Sequence, residues 1–242
     1  ALAEAIGGSE DAFVLLMNKE AKRLGMSETN FTNPHGLPDP KHFSTAYDIA
    51  LLAGAIIREF PDFYSLYSMK EYRYNNITQQ NRNRLLWLDP NVDGMKTGHT
   101  ESAGFCLVAS SKRGARRLLS IVMGAASDNV RTQESQTLLN FGFQFFDTVQ
   151  LHEKGKPIAN LRIWKGAESG LKAGVESDLF VAIPKGTNDK IKAELTSQQP
   201  LLAPITKGQR IGTMKVAYDG REVGQYPVVA LEDISTASWF GR

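Results

Sequence analysis

The chain has 242 residues, of which 42% are hydrophobic and 22% are charged, a composition typical of folded globular proteins rather than disordered or fibrous ones. Its formal net charge of +2 argues against a nucleic-acid-binding surface, and no apolar run is long enough to cross a bilayer. A single cysteine, Cys106, rules out an internal disulfide, and the four histidines show no metal-ligand spacing. We therefore expect neither a metal nor another cofactor.

The first part of the chain has the spacing of two helices joined by a loop rich in Asn, Pro and Gly. Ser9 is placed to cap the first helix and Gly25 to end it. Thr45 followed by Asp48 predicts an acidic variant of the capping box at the start of the second helix, which Pro61 ends. The stripe predicted to face the core in the first helix consists of Phe13, Leu16, Met17 and Leu24.

The middle of the chain mixes strand and helix signals. Asn75-Asn76 predicts the turn of a short hairpin. Two apolar runs, at 105–110 and 118–123, predict strands joined by a turn. Residues 128–146 have helical spacing.

The pattern changes near Val149. From there the sequence consists of short alternating runs separated by turn residues, with a hairpin signal at Asp219-Gly220. This texture is typical of an all-β domain of sandwich or barrel type. We therefore expect an α+β domain over residues 1–149 and a small all-β sandwich domain over residues 150–242.

Lys96-Thr97-Gly98 is the triplet that carries most chemical information. On a strand edge it presents an ammonium group, a hydroxyl group and a position without a side chain. The ammonium group can stabilise an anion, the hydroxyl can bind a carboxylate, and the glycine lets a peptide lie against the strand. The triplet is a signature of serine enzymes that attack peptides and β-lactams. Alone, the triplet is weak evidence for such an enzyme, because the start of an ordinary strand with a solvent-exposed lysine can contain the same three residues.

The surrounding sequence resembles the low-molecular-mass penicillin-binding proteins of the D-alanyl-D-alanine carboxypeptidase type, such as penicillin-binding protein 5. The run "NRNRLLWLDPNVDGMKTGHTESAGFCLVAS" contains the family's Asn-Arg-Asn segment, its "VDGxKTGHT" pattern and its "AGxxLVAS" strand. "DAFVLLMNKEAKRLGMSETNFTNPHGL", "STAYDIALLAGAIIREFP" and "LLNFGFQFFDTV" are similar to family helices. The resemblance implies a partial penicillin-binding/β-lactamase-like transpeptidase domain, without its N-terminal strands and nucleophile helix, followed by a membrane-proximal β-domain.

The implied activity is serine-type D-alanyl-D-alanine carboxypeptidase. Such an enzyme removes the terminal D-Ala from peptidoglycan stem pentapeptides through an acyl-enzyme and is inhibited by β-lactam antibiotics. Carried over to this sequence, Lys96 is the catalytic cation, Thr97 and Gly98 bind the substrate backbone or carboxylate, and His99 lines the cleft. Arg82, in the Asn-Arg-Asn segment, is expected to bind the terminal carboxylate by a charge-assisted bond.

The sequence departs from the family pattern because two of the family's motifs are missing ahead of Lys-Thr-Gly. No Ser-x-x-Lys motif precedes Lys-Thr-Gly, and Ser127-Asp128-Asn129, which spells the second β-lactamase motif, follows Lys-Thr-Gly instead of preceding it. We interpret that triplet as a helix N-cap. The nucleophile and the Ser-x-Asn motif are therefore expected upstream of Ala1, and residues 1–242 alone are predicted to be inactive. Gln144 also stands where family members have arginine.

Two other functions remain open from the sequence. The chain could be a non-catalytic cell-wall-binding module that retains only the Lys-Thr-Gly groove. A β-lactamase is disfavoured because a β-rich second domain and the "KTGHT" context do not belong to that group. The resemblance also implies a periplasmic protein, peripheral on the outer face of the cytoplasmic membrane. The protein is expected to attach to the membrane through an amphipathic anchor that follows "DISTASWFGR". Trp239, within that segment, is expected near the membrane surface.

Overall fold

A computed structural model describes residues 1–237 of the chain. It divides into two compact units, Ala1–Gln144 and Phe145–Arg242; the boundary predicted from the sequence lies slightly further along, inside the first strand of the second unit. Trp239, discussed above as a membrane-proximal residue, lies outside the described residues. Within residues 1–237, no helix combines the length and the apolar character needed to cross a membrane.

The helices of the first unit begin and end largely where local signals place them. Ser9 Oγ accepts a hydrogen bond from Ala12 N at 3.1 Å, and Gly25 has a positive φ of 79°, so the predicted cap and stop of the first long helix are confirmed. The helices are α1 (Leu2–Gly7), α2 (Glu10–Arg23), α3 (Ala46–Glu59), α4 (Pro61–Tyr64), α5 (Leu85–Leu88) and α6 (Asp128–Phe145).

The strands of the first unit form a hairpin and a three-stranded sheet. The hairpin pairs β1 (Glu71–Tyr74) with β2 (Ile77–Gln80), and Asn75 and Asn76 both have the positive φ of a tight hairpin turn. The antiparallel sheet has the order β3 (Val92–Thr100), β4 (Gly104–Arg113), β5 (Arg116–Ala125). Among the described residues β3 is therefore an edge strand.

The apolar side chains of this sheet pack on both of its faces. One cluster joins Leu107 and Ala109 of β4 to Leu139 of α6 and to α5. The other joins Met95 of β3 to Ala53 of α3 and to Tyr64. Because side chains of a strand alternate between its two faces, β3 contributes to both clusters, with Val92 in the first and Met95 in the second.

The stripe predicted for α2 is only partly correct. Leu16 is 43% exposed, and Ala21 is the residue of α2 that is fully buried. The helix is held instead through polar contacts. Asn18 exchanges two hydrogen bonds with the backbone of Phe31, and Arg23 pairs with Glu59. Helical spacing identified the element but not which of its faces has a partner.

The second unit is a two-sheet β-structure, as predicted. Its strands are β6 (Phe146–His152), β7 (Ala159–Trp164), β8 (Gly170–Val175), β9 (Leu179–Pro184), β10 (Ile191–Ser197), β11 (Leu201–Leu202), β12 (Arg210–Tyr218) and β13 (Arg221–Ala230). One sheet has the order β10-β12-β13-β8-β7-β11, and the other pairs β6 with β9. One apolar cluster contains side chains of both sheets. Asp219 and Gly220, both with positive φ, form the predicted β12–β13 hairpin turn.

Candidate active-site groove

The edge strand β3 borders a groove of about 910 Å³, a size typical of small-molecule sites. Its other walls are the segment that follows the β1–β2 hairpin and the first turns of α6. We call it the Lys96 groove. All five residues that the sequence singled out line it, namely Arg82, Lys96, Thr97, Gly98 and His99.

Lys96 occupies the part of β3 opposite Val108 of β4. Its ammonium group donates to the carbonyl of Thr97, with Nζ and O 2.6 Å apart. Partial burial lowers the pKa of Lys96, and the nearby positive charges of Arg82 and Arg131 lower it further. The ammonium group therefore gives up its proton more readily than an ordinary surface lysine.

Gly98 is not required by the packing of the sheet. It pairs with Cys106, and a Cβ atom built on it would meet only Cys106 Cβ, at an ordinary 3.8 Å. Its backbone is also outside the left-handed region that favours glycine. The missing side chain thus leaves the open side of β3 accessible, which is the property that a peptide-binding edge needs.

The two asparagines around Arg82 fix the segment that carries it. Asn83 is completely buried and donates from Nδ2 to the carbonyl of Gly94 at 2.9 Å. Asn81 donates to the carbonyl of Met69 and accepts from the backbone N–H of Asn83. Arg82, between them, is exposed in the groove, and among the described residues its guanidinium forms no ion pair. The Asn-Arg-Asn segment therefore presents a free cation on a rigid support.

His99 is held by its neighbours on β4. Its Nδ1 atom lies 3.1 Å from the carbonyl oxygen of Gly104. Because a carbonyl only accepts, Nδ1 carries the proton, and in the neutral ring Nε2 is left as an acceptor. The ring stacks on Phe105 with centroids 3.9 Å apart and planes at 17°.

Ser127-Asp128-Asn129 is an N-cap, as predicted, and also part of the groove. Ser127 Oγ accepts from the backbone N–H of Val130 at 3.2 Å. Asp128 and Asn129 line the groove, which the sequence did not indicate. Asp128 binds Arg84 Nε at 2.8 Å and also pairs with Arg131.

Arg131 is the main residue that sequence reasoning missed. It is 5% exposed and reaches from α6 to β3 and β4, where it donates to the carbonyls of Gly98 and Cys106. The only signal in the sequence was the spacing of Asp128 and Arg131, which suits an ion pair within a helix. That spacing does not say which strand the arginine faces.

The described part of the groove is cationic and contains no serine. Its lining has four positive side chains and one carboxylate, that of Asp128: Arg82, Arg84, Lys96 and Arg131 are the cations. Within residues 1–237, no three His, Cys, Asp or Glu side chains are grouped to hold a metal. The arrangement can bind and orient an anionic, extended ligand, but these residues alone supply no activated nucleophile. Gln144 is not part of it; it lies 16 residues beyond Asp128 on α6, about 24 Å at the helical rise.

Both units match known proteins. Residues 1–127 match the peptidase S11 family, described as D-alanyl-D-alanine carboxypeptidase, and residues 146–236 match the penicillin-binding protein 5 C-terminal domain. The D-alanyl-D-alanine carboxypeptidases DacC and DacD of Escherichia coli are each 43% identical over 244 residues, covering all of this chain. The chain spans 61% and 63% of their respective lengths.

The fold agrees with a solved relative. The crystal structure of penicillin-binding protein 5 from Haemophilus influenzae superposes with a TM-score of 0.84 at 43% identity, over 97% of this chain and 69% of that one. The resemblance inferred from the Lys-Thr-Gly region is therefore confirmed along both units. The chain belongs to the peptidase S11 family of D-alanyl-D-alanine carboxypeptidases.

Proposed function

We propose that this chain forms the Lys-Thr-Gly wall of a serine-type D-alanyl-D-alanine carboxypeptidase. The observation that carries the proposal is the convergence of Lys96, Thr97 and Arg82 on one cationic groove along the open edge of β3. A substrate that ends in a carboxylate and lies extended along that edge would meet all three. The terminal D-Ala-D-Ala of a peptidoglycan stem pentapeptide has this chemistry, and β-lactams would occupy the same place.

Each residue has a distinct role in this proposal. Arg82 and the Thr97 hydroxyl bind the terminal carboxylate, and Gly98 lets the peptide backbone approach β3. Lys96 stabilises the negative charge that develops as a serine attacks the scissile carbonyl, and its lowered pKa suits it to pass a proton. His99 presents its ring to the same groove.

The reaction requires a nucleophilic serine in the groove, and no serine is among the described residues that line it. A serine must form an ester with the penultimate D-Ala as the terminal D-Ala leaves, and water must then hydrolyse that ester. We propose that the serine and its lysine partner come from sequence outside this chain. Residues 1–149 would then be the C-terminal portion of the catalytic domain.

The setting follows from the same substrate. Peptidoglycan lies outside the cytoplasmic membrane, so we propose a periplasmic enzyme that acts on the outer face of that membrane. The β-rich residues 150–242 would be the membrane-proximal domain, and an anchor would hold the protein at the membrane. The match of residues 146–236 to the penicillin-binding protein 5 C-terminal domain supports this arrangement.

Labelling with a fluorescent penicillin tests the proposal. Residues 1–242 alone should remain unlabelled, whereas protein extended by the sequence encoded upstream should form a covalent adduct. In the extended protein, Lys96→Ala should slow labelling by about 10²- to 10³-fold, the usual effect of removing one group that stabilises a developing charge. Lys112→Ala is the matched control, because Lys112 is an exposed lysine of β4 outside the groove.

The alternative is a non-catalytic cell-wall-binding module. If the extended protein co-sediments with purified peptidoglycan but forms no penicillin adduct, the binding module is favoured over the enzyme. Labelling of residues 1–242 alone would contradict both proposals, since it would reveal a nucleophile within this chain.

A further inference from the structure

Arg131 is a buried cation that the Lys-Thr-Gly resemblance does not explain. It is 5% exposed, and burying a charge is costly unless the charge is paired and hydrogen-bonded. The two terminal nitrogens of its guanidinium group meet that condition with partners on three elements, namely α6, β3 and β4. Its contacts therefore show what it holds in place.

One nitrogen of Arg131 joins the two strands at the groove. Nη1 donates to the carbonyl of Gly98 at 3.1 Å and to that of Cys106 at 3.3 Å, and these two residues are register partners in the β3–β4 ladder. Gly98 directly follows Thr97. β3 has only one neighbouring strand within the described sheet. The two hydrogen bonds from Arg131 therefore fix this edge strand at the place where it would bind substrate.

The same guanidinium group lies against the aromatic pair that orients His99. Arg131 Cζ is 5.5 Å from the centroid of Phe105, and Phe105 stacks on the ring of His99 at 3.9 Å. A cation at this distance from a ring is attracted to it. Arg131 thus supports His99 through Phe105.

Asp128 compensates the charge of Arg131 and links it to a further wall of the groove. Its carboxylate pairs with Arg131 and with Arg84 Nε, the latter at 2.8 Å. Arg84 also donates to Asn129 Oδ1 at 2.7 Å. The first turn of α6 is therefore tied to the segment that carries Arg82.

We propose that Arg131 is a positioning residue, which fixes the Lys-Thr-Gly strand and the His99 ring from the first turn of α6. This proposal rests on the proposed function in one respect, namely that β3, the strand that Arg131 holds, is the proposed substrate-binding wall. Arg131 acts through Gly98, Cys106 and Phe105, and only 5% of it is exposed. It also contributes one of the two positive charges that lower the pKa of Lys96.

Three variants of the chain separate the geometric effect of Arg131 from its charge. In Arg131→Met, amide hydrogen exchange across 97–99 and 105–107 should become at least tenfold faster, and the pKa of Lys96 should rise towards its ordinary value. Arg82→Met should raise the pKa of Lys96 without changing that exchange, because within residues 1–237 Arg82 forms no hydrogen bond with the β3–β4 ladder. Arg131→Lys should speed exchange while keeping the pKa of Lys96 low, because lysine keeps the charge but loses the planar fork.

Exchange can be followed by NMR on residues 1–242, and the Lys96 ammonium group by selective lysine labelling. Unchanged exchange in both Arg131 variants, or equal acceleration in Arg82→Met, would overturn the proposal. If Arg131→Met does not fold, Arg131→Lys alone decides between these outcomes. None of these measurements needs turnover, so a failure of penicillin labelling would leave their result intact.

Discussion

The two units bury their apolar side chains to different extents. In the second unit, one cluster of buried residues draws on both sheets. In the first unit, which is longer, the buried residues fall into two smaller clusters on either side of the three-stranded sheet, and large side chains remain at the surface, such as Phe63 at 68% and Tyr74 at 72% exposure. Since apolar burial is the main source of stability, we expect the second unit to be the more stable and the first to depend more on polar contacts.

A matched pair of core substitutions gives the largest expected effects. Leu171 in the second unit and Leu85 in the first are both 0% exposed, and Leu→Ala at such sites costs about 2–5 kcal/mol. We expect Leu171→Ala to lie near the upper end of that range and Leu85→Ala near the lower end, because the smaller cluster around Leu85 can collapse more easily into the space. Denaturant titration with hydrogen exchange resolved for each unit measures both costs.

The control for this pair is Leu66→Ala. Leu66 is 59% exposed, so its truncation should change the free energy of unfolding by no more than about 0.5 kcal/mol. Equal costs for Leu171 and Leu85, or a larger cost for Leu85, would remove the proposed difference between the two cores.

The polar contacts of the first unit centre on Asp93 of β3. Its carboxylate accepts two hydrogen bonds from Arg117, both at 2.7 Å, and one from the Tyr64 hydroxyl at 2.8 Å. Burial raises the pKa of Asp93, but the bonds from Arg117 and Tyr64 and the charge of Arg117 outweigh it, so the pKa lies below its usual value. Burial raises the pKa of Tyr64, and the hydrogen bond to Asp93 raises it further.

Asp93→Asn should therefore destabilise the first unit in a pH-dependent way. A carboxyl whose pKa is lowered by folding contributes stability above its unfolded value of about 3.9, and this contribution is lost as the pH falls through the folded value. At pH 7 we expect the variant to lose about 1.5–3 kcal/mol, the range for hydrogen bonds to a charged group. The difference from the parent protein should shrink as the pH falls below about 4.

The control in the second unit is Asp219→Asn. Asp219 is 64% exposed in its ion pair with Lys190, and asparagine tolerates the positive φ at this position. A surface pair of this kind contributes about 0–1 kcal/mol. Denaturant unfolding at several pH values compares the two variants, and a pH-independent loss in Asp93→Asn would show that the network does not act through its charge.

The features that the sequence predicted are local. Ser9 and Ser127 are caps because their own hydroxyls reach an N–H three residues on, and Asn75-Asn76 turns because asparagine tolerates positive φ. Lys96, Thr97 and Gly98 are consecutive on one strand, so their joint presence in the groove also follows from local order.

The features that escaped prediction depend on distant partners. Thr45 caps α3 as expected, with its Oγ1 accepting from Asp48 N, but the Asp48 carboxylate binds Glu28 N and the Thr29 hydroxyl rather than completing a capping box. Arg131 similarly bonds to residues far from it along the chain. Nothing in the spacing of either residue indicates the element it meets, because that contact exists only after packing.

The smallest expected effect distinguishes a glycine required by the fold from one required by the groove. In the second unit, a Cβ on Gly212 would lie 2.6 Å from the carbonyl oxygen of Thr196, so Gly212→Ala should cost about 1–3 kcal/mol through overpacking. Gly98→Ala meets only an ordinary contact and should change the free energy of unfolding by no more than about 0.5 kcal/mol.

If Gly98 nevertheless serves substrate binding, the added methyl group should slow penicillin labelling of the extended protein while thermal unfolding stays unchanged. Slower labelling accompanied by lost stability would mean that Gly98 supports the fold of β3 rather than access to its edge. Unchanged labelling would mean that the open side of β3 at Gly98 is not where the ligand lies. Comparing Gly212 with Gly98 therefore distinguishes a glycine that the packing of the fold requires from one that ligand access requires.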